Sequence, residues 1–154
     1  MLEQTRYILS LEGKPSAEAE AKLAEMEAGV KKVKSLTPTN AADATLVLGA
    51  PAKYWLDLRS YNPPTTIRGL KLPMLILQGQ RDYQVTLADF NGWKNALSSS
   101  TNVTFKLYPK LNHLFIVGEG KSKPGEYEKT GHVSEGVIQD IAAWIHAQKR
   151  GNEL

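Results

Sequence analysis

Leu72-Pro-Met-Leu-Ile-Leu-Gln-Gly-Gln-Arg-Asp82-Tyr-Gln-Val85 and Val103-Thr-Phe-Lys-Leu-Tyr-Pro-Lys-Leu-Asn-His113-Leu-Phe115 bracket the stretch on which the fold turns. Met74 to Leu77 is a continuous apolar run closed by Gly79, the pattern of a strand buried on both faces. Between the two segments, Leu87, Phe90, Trp93 and Leu97 recur at spacings of three, three and four, one face of an amphipathic helix. Val103, Phe105 and Leu107 then alternate with Thr104, Lys106 and Tyr108 at strand period. Strand, helix and strand with short connections make a βαβ unit, so the two strands should be parallel neighbours. Asp82 follows the first strand and His113 the second. Both therefore fall at the carboxyl edge, where open α/β sheets carry their sites. A carboxylate beside an imidazole holds one tautomer and stabilises the imidazolium, two of the three parts of a nucleophile-His-acid triad.

At these residues the sequence resembles the C-terminal part of an α/β-hydrolase, nearest to bacterial esterases of the dienelactone-hydrolase-like kind. Gly79-Gln-Arg-Asp82 is similar to the family's acid turn, and Tyr108-Pro-Lys-Leu-Asn-His113 to its histidine segment. The resemblance implies Asp82 as triad acid, His113 as base, carboxyl-ester hydrolysis as the activity and a small-molecule ester as substrate. The family's nucleophile precedes its acid in a Gly-x-Ser-x-Gly elbow. No such elbow precedes Asp82 here. The expected architecture is α/β: a partial α/β-hydrolase fold with a short parallel sheet, a βαβ unit plus C-terminal helix, and a helical cap-like region before it. We place the cap-like region at 1–68 and the core portion at 69–154. A complete sheet of that family has about eight strands, more than 154 residues with helices of usual length supply.

Composition narrows the function classes. The 42% hydrophobic content suits one ordinary core. The net charge of +3, from 19 basic and 16 acidic residues, is too mild for nucleic-acid binding. Lys31, Lys32 and Lys34, the main basic cluster, read as a solvated helix face. There are no cysteines, so neither disulfides nor thiolate chemistry contribute. No apolar run approaches the roughly twenty residues of a membrane span. Met1-Leu-Glu-Gln-Thr-Arg lacks signal-peptide character, so the chain as written reads as cytoplasmic. His113, His132 and His146 show no ligand spacing with carboxylates, and neither metal nor cofactor is expected.

The rest of the chain reads as helices and turns. Leu2 to Leu11 and Ala17 to Lys34 form helices around Gly13 and Pro15, with Ser16 as N-cap of the second. Leu23, Met26, Val30 and Val33 make a narrow seam on that second helix. It serves either a helical hairpin or a partner-binding surface. Leu46-Val-Leu48 is a short helix or strand. A helix begins at Pro51, carries Tyr54, Trp55, Leu58 and Tyr61 along one side, and ends at Asn62-Pro63-Pro64. Tyr54 and Trp55 are core packing or, beneath a cap, walls of an acyl pocket. Residues 118–132 form a long polar loop directly after His113, and Val137, Ile138, Ile141, Trp144 and Ile145 mark a last helix packed on the sheet. His132-Val-Ser134-Glu-Gly136 imitates a serine elbow, but its first glycine is missing and no strand precedes it, so Ser134 reads mainly as a helix N-cap and only weakly as a nucleophile. Ser98, Ser99 and Ser100 lie at the opposite sheet edge from Asp82 and His113. Two further readings follow: a catalytically silent, truncated hydrolase fragment that self-associates, and a helical interaction module. Homo-oligomerisation would use the exposed edge of the first sheet strand or the helical seam.

Overall fold

A computed structural model describes residues 1–42 and 46–151 of the chain. It divides into two compact units, Met1–Pro63 and Pro64–Leu154.

In the first unit, α1 (Leu2–Leu11) and α2 (Ala17–Lys34) pack as a hairpin. Ser16 caps α2 by accepting from the Ala19 amide at 3.2 Å. Arg6 reaches across the hairpin to Glu27 at 2.8 Å. The seam residues Leu23, Met26, Val30 and Val33 are half-buried, and Met26 Sδ accepts from Thr5 Oγ1 of α1 at 3.6 Å. Leu46–Val47 (β1) and Ala50–Pro51 (β2) form a minimal antiparallel ribbon, followed by α3 (Ala52–Ser60). The core of this unit joins Leu36, Ala41 and Ala52, with Trp55 and Leu56 packed against it. Arg59 donates from Nη1 to the carbonyls of Val33 and Leu36, satisfying groups that the end of α2 leaves open. Asn62-Pro63-Pro64 does more than stop a helix. α3 ends at Ser60, and the two prolines open a further helix, α4 (Pro63–Arg68). Proline's fixed φ and missing N–H cost nothing in a first helical turn.

The second unit is a mixed α/β layer. β3 (Met74–Gly79) and β4 (Val103–Tyr108) pair in parallel, with Met74 opposite Val103 and Gly79 opposite Tyr108. α5 (Leu87–Ala96) makes the crossover. Thr86 starts it with a capping box: Thr86 Oγ1 accepts from Ala88 N at 3.2 Å, and the Thr86 amide donates to Asp89 at 2.8 Å. Phe90 and Leu97 are buried, and Phe90 meets Phe105 edge to face at 5.8 Å between ring centres. Lys106 and Tyr108 lie on the other face of β4, where both bond to Asp140 of α6 (Glu135–Gly151). α5 and α6 therefore contact opposite faces of β4.

Two sequence expectations need correction. Met74 to Leu77 are half-buried rather than buried on both faces. Among the described residues of α6 only Val137 is buried, whereas Ile138, Ile141 and Ile145 are 56%, 37% and 45% exposed. Both departures have one cause. A sheet of two strands is too narrow to cover a full helix face or to flank β3 on both sides.

Candidate active site

The sheet edge is built by close backbone approach. After β3 the Gln80 amide donates to the Tyr108 carbonyl at 2.9 Å, and the Arg81 amide donates to Leu111 at 3.0 Å. These bonds tie the turn after β3 to the loop after β4. Gly79 sits where they converge. A Cβ there would stand 2.5 Å from the Leu111 carbonyl oxygen and 2.6 Å from that of Asn112. Only glycine fits such a contact.

Beyond Gly79 the chain turns at Asp82. Its Oδ1 accepts from the amides of Gln84 at 2.8 Å and Val85 at 2.9 Å, an Asx-type turn that locks the carboxylate. The second oxygen, Oδ2, lies 2.8 Å from His113 Nδ1. The Asp82 side chain is 7% exposed and that of His113 is 37% exposed. Gln78, itself buried, donates from Nε2 to the Val85 carbonyl at 2.8 Å and closes the same turn from beneath.

This geometry sets the imidazole chemistry. An ionised carboxylate only accepts hydrogen bonds, so the proton between the two residues belongs to His113 Nδ1. In neutral imidazole, Nε2 then carries the free lone pair and is the basic nitrogen. The loop carrying His113 is strained to present it. Phe115 adopts φ 56°, unusual for a bulky side chain, and packs edge to face on Tyr108 at 6.0 Å. Asn112 stabilises the turn by accepting at Oδ1 from the amides of Leu114 at 3.0 Å and Ile116 at 3.1 Å.

The remaining candidates occupy different settings. Ser134 immediately precedes α6, its amide donates to Phe115 at 2.9 Å, and its carbonyl accepts from Val137 at 2.9 Å. That is the setting of a helix start. Trp55 belongs to the core of the first unit and donates from Nε1 to the Val47 carbonyl at 2.7 Å, while Tyr54 is 53% exposed and stacks edge-on against it. Among the described residues, no group of three or more His, Asp or Glu side chains is arranged to hold a metal ion, and no helix is long and apolar enough to cross a membrane.

Sequence reading did not detect a buried cluster behind this pair. Arg81 Nη2 donates to Glu126 Oε1 at 2.5 Å, while Glu126 Oε2 accepts from Asn112 Nδ2 at 3.2 Å and Ser122 Oγ at 3.0 Å. Burial alone would raise the Glu126 carboxyl, but these three donors and the Arg81 charge outweigh it and hold the group below the ordinary carboxylate range. Glu126 closes a short 3₁₀ turn inside the polar 118–132 segment. A Gly- and Lys-rich polar loop carries no periodicity that would point to it. A cavity of about 280 Å³ opens beside the cluster, bordered by Asn112, Gly118, Glu126 and Lys129 but by neither Asp82 nor His113.

No protein-family model matches the chain, and no solved structure matches it. Among curated proteins, the chain is similar to Esterase EstD of Thermotoga maritima, with 52% identity over 99 residues. That match covers 64% of this chain and 24% of the relative, so the chain resembles part of an esterase and spans about a quarter of it.

Proposed function

We propose that this chain carries the acid-base portion of a carboxyl-ester hydrolase of α/β-hydrolase type. The observation that supports this reading is the 2.8 Å bond from His113 Nδ1 to the buried Asp82 carboxylate, with Nε2 left as the basic nitrogen. Similarity to an esterase agrees with it. In the proposed reaction, His113 Nε2 takes the hydroxyl proton of a serine as its oxygen attacks the ester carbonyl. The imidazolium is stabilised by Asp82 and returns the proton to the departing alkoxide, leaving an acyl-enzyme that water hydrolyses by the same path. The serine is either one of this chain's own serines outside any elbow or one supplied by another chain, because no Gly-x-Ser-x-Gly elbow occurs in these 154 residues.

The test combines intact mass after treatment with a serine-directed fluorophosphonate and turnover of a short-chain p-nitrophenyl ester. Each is run with the chain as it stands and with His113→Ala. A stoichiometric adduct and turnover that vanish in His113→Ala support the reading, and peptide mapping then names the serine. Their absence favours a second reading, a catalytically silent fragment. The exposed Ile138, Ile141 and Ile145 face on α6 supports that alternative, since it invites self-association.

A further inference from the structure

Arg81 directly precedes Asp82 and Asn112 directly precedes His113, and the side chains of both turn away from the site to meet the same carboxylate. Glu126 takes Arg81 on Oε1 and Asn112 on Oε2, so one oxygen is assigned to each loop. The cluster is enclosed: Arg81 is 7% and Glu126 20% exposed in their side chains, with Asn112 at 1% and Ser122 at 0%. Each partner is fixed again elsewhere. Arg81 Nε donates to Gly120 at 2.9 Å and Nη2 to Glu119 at 3.1 Å, while Asn112 Oδ1 holds the amides of Leu114 and Ile116. Gly118 makes room, since a Cβ there would lie 2.6 Å from the guanidinium carbon of Arg81.

We infer that Glu126 is a positioning residue that clamps the Arg81 and Asn112 side chains together and thereby sets the His113 imidazole against Asp82. The inference rests on the proposed role of the Asp82–His113 pair and extends it to a residue far beyond Asp82 in the chain. Hydrogen bonds to charged groups in enclosed sites are strong and costly to leave half-made. Loss of the carboxylate therefore frees both loops at the residues next to the pair. Its low proton affinity keeps Glu126 ionised, and the clamp closed, throughout the neutral range. Contacts of this kind act on alignment, where small displacements have large chemical consequences.

The test observes the Nδ1 proton of His113 by NMR in the nitrogen-labelled chain, through its resonance and its exchange with solvent. Glu126→Gln keeps the shape but places an amide against Arg81. Gly118→Ala displaces the guanidinium from the opposite side. Glu128→Gln, at a neighbouring position outside the cluster, is the control. Both clamp variants are expected to speed Nδ1–H exchange by about tenfold or more, with the amide signals of β3 and β4 preserved and the control unchanged. If Gly118→Ala does not fold, the isosteric Glu126→Gln decides. Unchanged exchange in folded Glu126→Gln overturns the inference, as does the lack of a protected Nδ1 proton in the unaltered chain. The measurement follows a proton rather than turnover, so a chain that never cleaves an ester still tests the clamp. Failure of the hydrolase reading is registered separately by the fluorophosphonate experiment.

Discussion

Gly79 and Leu111 meet backbone to backbone, and the space for a side chain at Gly79 is taken by the Leu111 carbonyl oxygen. This contact fixes how far the end of β3 stands from the loop that carries His113. Gly79→Ala must push the two segments apart, because neither obstacle is a side-chain tip that can swing away. Overpacking of this kind costs about 1–3 kcal/mol. The expected result is a lower denaturation midpoint together with loss of the protected His113 Nδ1 proton. A variant with unchanged stability and an intact Nδ1–H signal would contradict the steric account.

Asp82→Asn separates geometry from chemistry. The carbonyl oxygen of the substituted side chain can still accept from the Gln84 and Val85 amides, so the turn should survive. The new amide group, however, donates toward His113 and favours the tautomer with the proton on Nε2, which removes the basic lone pair. In a working Ser-His-Asp site such a swap lowers kcat by about 10⁴. Stability within about 1 kcal/mol of the starting chain, with ester turnover or fluorophosphonate labelling reduced by orders of magnitude, is the expected pair of outcomes. Equal labelling of both chains would remove Asp82 from the mechanism.

The meeting of Asp82 with His113 was legible because it follows from local patterns. An apolar run, a helical stripe at three, three and four, and a two-residue alternation together define a parallel pair, and parallel strands bring their carboxyl ends to one edge. The clamp behind that edge was not legible. Arg81 and Glu126 are 45 residues apart, and their contact depends on how a polar loop folds back, for which hydrophobic periodicity gives no signal. The burial of β3 and of the α6 face was misjudged for a related reason. Periodicity reports which face is apolar, but how many strands are present to cover it is a tertiary property.

Acid should weaken the second unit through Glu126. Its carboxyl is held below the ordinary glutamate value of 4.5 in the folded chain, so the unfolded chain binds the proton more readily. Stability from this group is therefore complete above about pH 4.5 and is lost as pH falls through the lower folded value. Glu126→Gln removes this ionisation. Denaturant titrations across pH 3 to 6 (about the range over which carboxylates titrate) should show a shallower loss of stability in the variant. Parallel pH curves for the two chains would assign the acid sensitivity to other carboxylates.

At the alkaline end, Tyr108 should dominate the response of β4. Burial, followed by its 2.7 Å hydrogen bond to Asp140 and that residue's charge, pushes the phenol from 10.0 up to about 12. The folded chain thus retains a proton that the unfolded chain gives up, so this contribution to stability is complete below pH 10 and is lost as pH rises towards 12. Asp140→Asn removes the charge and weakens the hydrogen bond but leaves the burial, which is the larger cause. Phenolate absorbance should then show one tyrosine titrating earlier than in the unaltered chain, yet still above the ordinary value. The same substitution leaves Lys106 without its charged partner on α6, so of the two polar links from Asp140 to β4 the ion pair is lost and the hydrogen bond is weakened. Exposed ion pairs contribute little, about 0–1 kcal/mol. The expected drop in stability at neutral pH is accordingly modest, and it should shrink further in alkali, where Tyr108 ionises in either chain. A variant whose high-pH tyrosine does not move would show that burial alone sets the Tyr108 proton affinity.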